Sequence, residues 1–164
     1  MASRPTLTVA VRVGADYGRG LMALDAESYQ SLAGFRLALR RFLAAAEGIS
    51  KSAGVTQQQY QALLAIKTWP SAVMTMGDLA DQLLLTHHAA VQLMNRMSAA
   101  GLAERMPSSA DRRSVLLGLT PAGEALVRQL AGRHLQEVLR QEPQLTRSLR
   151  RLRRLSTDGG DGPA

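Results

Sequence analysis

Two helix caps, Thr75 and Thr86, stand only eleven residues apart in this chain. Thr75-x-x-Asp78 opens a short helix reading from Met76 to Leu84, and Thr86 opens another that runs to Ala100 and stops at Gly101. About two residues are left to join them, so the helices must meet at a sharp angle, the step of a helix-turn-helix. The stretch after Gly101 narrows the fold further. Ala103 to Met106 and Ser114 to Leu119 are short β-type runs on either side of the polar segment Pro107 to Arg113, and they predict a hairpin. A helix pair with a basic-tipped hairpin beside it is a winged helix-turn-helix, which lays one helix in a DNA major groove and the hairpin tip next to it. The expected fold class is therefore mostly α with a small β-hairpin wing (α+β).

Helices flank this lobe on both sides. The first, about Ala26 to Glu47, carries Leu32, Phe35, Leu39, Phe42 and Ala46 at steps of three and four, the spacing of a seam against another helix. The same spacing also suits a helix on its own domain's core. Gly48 to Gly54 reads as a loop, and Thr56-x-x-Gln59 is a capping box for a helix from Gln57 to about Lys67, ended by Trp69-Pro70. Pro121 fits the first turn of a further helix reaching about Gln141 and breaking at Pro143. A last short helix gathers Leu145, Leu149, Leu152 and Leu155 on one face among five arginines. The expected organisation is a flexible arm over 1–21, a dimerisation helix and loop over 22–55, the lobe over 56–120, C-terminal dimerisation helices over 121–155 and a disordered tail over 156–164. Met22 could itself serve as a start, which leaves the arm open as an extension.

Composition excludes more than it identifies. With no cysteine, disulfide frameworks, thiolate zinc sites and thiol switches are ruled out. No run approaches the roughly 18 apolar residues of a membrane span, which suggests a cytoplasmic protein. The net charge is +7, yet residues 56–143 contribute only +1 while 144–155 contribute +5. A basic total is thus weak support for a polyanion partner, and individual residues must carry that case. Neighbouring His87 and His88 project about 100° apart on a helix and cannot readily share one ion, so no metal and no cofactor is expected. No nucleophile triad, phosphate loop or carboxylate pair stands out, and an enzyme is not expected.

On the helix opened by Thr86, Val91, Leu93, Met94 and Met97 can face the core, leaving His88, Gln92, Asn95 and Ala99 along a polar face. Gln92 and Asn95 could each pair with an adenine edge, and Thr86, His87 and His88 stand at the helix start, where bases or phosphates come near. A solvated surface face would have the same composition. In the hairpin tip, Arg113 has the reach for the minor groove, Asp111 could hold its guanidinium, and Arg112 suits a backbone phosphate. A bare Asp-x-Arg is more often a surface ion pair.

The run Asp111-Arg112-Arg113-Ser114 through Leu119-Thr120-Pro121-Ala122-Gly123, with Thr75-Met76-Gly77-Asp78-Leu79-Ala80 and Thr86 to Arg96 upstream, resembles the MarR family of bacterial transcription regulators. The resemblance covers about residues 22–155. It implies a homodimer with interlocking first and last helices, its seam including Leu32, Leu39, Phe42, Leu145, Leu149 and Leu152, each lobe docking on half of an inverted repeat in double-stranded DNA. It also implies release by small aromatic acids or phenols, bound between dimer helices and lobe, where Phe35, Arg36, Arg40, Tyr60 and Trp69 are the candidates. Arg96 matches a position that the family keeps as Arg, suited to a phosphate. Gln92 stands where the family often has a basic residue, which bears on target sequence and not on docking. The expected function is a dimeric DNA-binding regulator, most often a repressor by likeness. A winged-helix module that binds a protein, such as an antirepressor, is the alternative that the near-neutral lobe supports.

Overall fold

The computed structural model describes residues 25–70, 74–107 and 115–157. The expected arm over 1–21 and the tail beyond 157 lie outside them. In chain order the elements are α1 (Ala26–Ser52), α2 (Gln57–Thr68), β1 (Met74–Thr75), α3 (Met76–Gln82), α4 (His87–Ala99), β2 (Ala103–Pro107), β3 (Val115–Leu119) and α5 (Pro121–Thr157). The fold is a winged helix with long helices at both ends.

Local chemistry sets most boundaries. Asp25 caps α1 by accepting from Ser28 N at 2.8 Å. Capping boxes open α2, through Thr56 and Gln59, and α3, through Thr75 and Asp78. The turn between α3 and α4 spans Leu83 to Thr86, longer than the two residues expected, because α3 ends at Gln82. Leu84 takes the left-handed conformation there at φ 54° and is 86% exposed. Gly101, at φ 67°, ends α4. Thr120 then ties the wing to α5: its Oγ1 donates to Gly101 O at 2.6 Å and accepts from Gly123 N at 3.1 Å. A Cβ on Gly123 would collide with Leu102 O, so only glycine lets the first turn of α5 lie on this strand entry.

Three expectations are corrected. α1 does not stop at Glu47 but continues through Gly48 to Ser52, since Ser50 is buried and Ile49 packs on the lobe core. The lone glycine costs about 1 kcal/mol, which that packing offsets. α5 is one helix through Pro143, not two, and it takes in residues 156 and 157 of the expected tail. Gln141 is buried and Leu145 half-buried on either side of the proline, so packing holds the helix across the missing hydrogen bond. The wing is also more than a hairpin. β1 pairs antiparallel with β3, Met74 opposite Leu117, giving a three-stranded sheet of order β1-β3-β2.

The lobe core is dense. Leu63 of α2, Met74, Leu79 of α3, Leu93, Met94 and Met97 of α4, Leu117 of β3 and Leu130 of α5 are all essentially inaccessible. α1 is buried differently. Its buried residues, Ser31, Ala38, Ala46 and Ser50, are small and let α5 approach closely, while Tyr29, Leu32, Leu37, Leu39 and Leu43 stay exposed.

Candidate nucleic-acid interface

α4 is an amphipathic helix set with one side in the core. Ala90, Leu93, Met94 and Met97 fill the lobe, and the opposite side exposes His87, His88, Gln92, Asn95 and Arg96. Thr86 is exposed as well, with its hydroxyl used as the cap, accepting from Ala89 N at 3.2 Å. The structure therefore brings all six expected residues of this segment onto the outer side of the helix-turn-helix. Asp111, Arg112 and Arg113 lie outside the described residues.

One partner was not foreseen. Arg105 of β2 donates through Nη2 to Asn95 Oδ1 at 2.8 Å, joining α4 to the wing sheet. Both side chains are exposed, and they line one cleft of about 590 Å³ with Thr75, Met76, Gly77, His87, Val91 and Val115. In the sequence Arg105 is one charge in a short strand. Only its register, opposite Leu117 and two residues from buried Ala103, turns it towards α4.

The expected ligand residues fare unevenly. Phe35 and Trp69 are half-buried, and Trp69 packs on the lobe core. Arg36 and Arg40 are exposed in the single chain. Tyr60 is buried and stacked on His134 of α5, ring centroids 4.0 Å apart and planes 6° off parallel. His134 Nε2 lies 3.3 Å from Ser50 Oγ, which donates to Gln57 Oε1 at 2.7 Å. This polar junction of α1, α2 and α5 went unread in the sequence. Burial, then the neighbouring Arg133 charge, holds the His134 imidazole below its usual pKa, and burial raises that of the Tyr60 phenol. Arg133 also donates to Ser52 Oγ at 2.9 Å, and Lys67 pairs with Glu124 at 2.7 Å.

Among the expected seam residues Leu32, Leu39 and Leu149 are exposed, while Phe42, Leu145 and Leu152 are half-buried. Leu135, Val138 and Leu139 of α5 are exposed too and were missed. Their one-turn spacing within a helix otherwise rich in polar residues was the available signal.

A model of the MarR family matches residues 53–114, from the end of α1 to the wing. The likeness to the MarR family is thus carried by this segment of the chain. The organic hydroperoxide resistance transcriptional regulator of Bacillus subtilis is 36% identical over 72 residues, covering 44% of this chain and 48% of that protein. The chain thus spans about half the length of this curated relative. Among solved structures, the MarR family regulator AbsC from Streptomyces coelicolor superposes with a TM-score of 0.66 at 23% identity, over 73% of this chain and 81% of that one. A MepR mutant of S. aureus bound to an oligodeoxyribonucleotide gives 0.58 at 21% identity, over 79% and 96%. The MarR match coincides with the lobe whose outer helix carries the polar side chains. No helix among the described residues is long and apolar enough to cross a membrane.

Proposed function

We propose that the protein is a homodimeric, sequence-specific DNA-binding repressor that binds an inverted repeat and is released by a small aromatic or phenolic ligand. The observation that carries this reading is α4, a helix locked into the core by Leu93, Met94 and Met97 that turns His87, His88, Gln92, Asn95 and Arg96 outward. Side chains held by a rigid helix can meet base edges without ordering a loop first. The exposed leucines of α1 and α5 support the dimer, and the structurally similar MepR mutant bound to an oligodeoxyribonucleotide supports the DNA. In the 53–114 segment Arg113 acts on the minor groove, held by Asp111, with Arg112 and Arg96 on phosphates. Release by a ligand is supported by family likeness and by the ring-lined junction around Tyr60, where a shift of α5 against α2 would alter the spacing of two lobes.

The test is a fluorescence-anisotropy titration against the upstream intergenic DNA and a scrambled duplex at two salt concentrations, with Arg113→Ala in parallel. Tight, salt-dependent preference for the native duplex that the variant loses supports the reading. Equal weak binding to both duplexes, together with an empty genome-wide selection of bound fragments, would favour a protein-binding module.

A further inference from the structure

We propose that Arg105 is a positioning residue that commits Asn95 to donating, so that the pair reads a guanine and not an adenine at one position in each half-site. The inference rests on the DNA-binding reading above and goes beyond it to the base that is selected.

A guanidinium has five N–H donors and no acceptor. The Asn95 atom 2.8 Å from Arg105 Nη2 is therefore the amide oxygen, and the two donors of Nδ2 are left for other partners. Adenine recognition by an asparagine needs both ends of the amide, the oxygen accepting from N6 and the nitrogen donating to N7. Arg105 takes one of the two lone pairs of that oxygen and holds it towards the wing, so a bidentate adenine contact would need the amide to turn away from Arg105. Its Nδ2 and the remaining N–H groups of Arg105 form an array of donors, complementary to the O6 and N7 acceptors of guanine.

Both residues stand on rigid elements. Asn95 lies between Met94 and Met97 of α4, which have no exposed surface. Arg105 lies in the β2–β3 ladder opposite buried Leu117. The two backbones are fixed relative to each other, and the cleft that their side chains share with His87 and Val91 is open on the exposed side of α4. A charged side chain joined to a neutral amide also keeps its full charge, whereas a carboxylate partner would have cancelled it.

The experiment is selection from a random duplex library with the full-length protein, followed by anisotropy on the winning duplex and on its G·C to A·T counterpart, for wild type, Arg105→Ala and Asn95→Asp. The wild type is expected to enrich guanine at one position per half-site. Arg105→Ala frees the amide and should move that position towards adenine, changing the relative affinity of the two duplexes roughly tenfold. Asn95→Asp keeps an acceptor for Arg105 but has no donors, and should lose the guanine preference without lowering the melting temperature. If Arg105→Ala instead weakens all duplexes alike and lowers the salt slope by about one, Arg105 is a phosphate contact and the proposal fails. An unchanged motif in both variants also overturns it. Wild-type protein that enriches no sequence would overturn the DNA-binding reading itself.

Discussion

The lobe and the long helices bury their surfaces in different ways. In the lobe, large side chains from α2, α3, α4, β3 and the start of α5 meet in one cluster, with Leu63, Leu79, Leu93, Met94, Met97 and Leu130 wholly inaccessible. Along α1 small residues face inward and along the rest of α5 the polar His134 and Gln141 do, while Leu139 and Leu135 are 63% and 58% exposed and Leu32, Leu39, Leu43 and Leu149 are exposed beside them. The first region completes its own core; the second leaves apolar side chains uncovered. Exposed apolar stripes of this kind mark an interface, and here they run along both helices that flank the reading lobe. The division matches the function proposed, since a lobe that is rigid alone can be moved as a unit by helices whose packing depends on a partner.

The contrast can be broken most sharply inside the lobe. Leu93→Ala should cost about 2–5 kcal/mol and lower the thermal midpoint equally at all protein concentrations, because the cavity lies within one chain. Gly123→Ala should be similarly damaging, forcing α5 away from Leu102 O, and circular dichroism melts would show it. Leu139→Glu belongs to the other region. It should leave the lobe folded but abolish the dependence of the midpoint on protein concentration, which a differential scanning series can measure.

Smaller effects lie at the junction and the turn. The neutral His134 imidazole is favoured by burial in the fold, so the unfolded chain takes up its proton first. Stability should be highest above about pH 6.5 and fall as the pH drops from there towards the depressed folded value. His134→Phe keeps a ring for Tyr60 and should flatten melting curves collected between pH 8 and pH 5. Leu84→Gly should stabilise by about 1 kcal/mol, since it removes a left-handed leucine that is almost fully exposed. A lower denaturation midpoint in urea would show that Leu84 makes contacts that outweigh its backbone strain.

Much of this was legible in the chain because it is local. Caps at Thr56, Thr75 and Thr86 and the glycine stop at Gly101 are decided by side chains within three or four residues, and they placed α2, α3 and α4. Thr120 caps α5 just as locally, accepting from Gly123 N. The outward face of α4 followed from the helical period of about 3.6 residues. What could not be read depends on residues far apart. β1 is two residues long and exists only because Leu116 and Leu117 lie beside it. Gly48 and Pro143 look like breaks and are overridden by packing on either side. Arg105 meets Asn95 across a turn, and His134 meets Tyr60 from 74 positions away, contacts that no local pattern encodes.

The most direct test is sedimentation equilibrium of the full chain, free and on a selected duplex, beside Leu139→Glu. The expected result is a species of twice the 17.7 kDa chain mass that places two chains on one duplex, with the variant reduced to single chains that bind DNA weakly. A wild-type protein of single-chain mass that binds its duplex one to one would contradict the division of the molecule into a self-sufficient lobe and helices that need a partner.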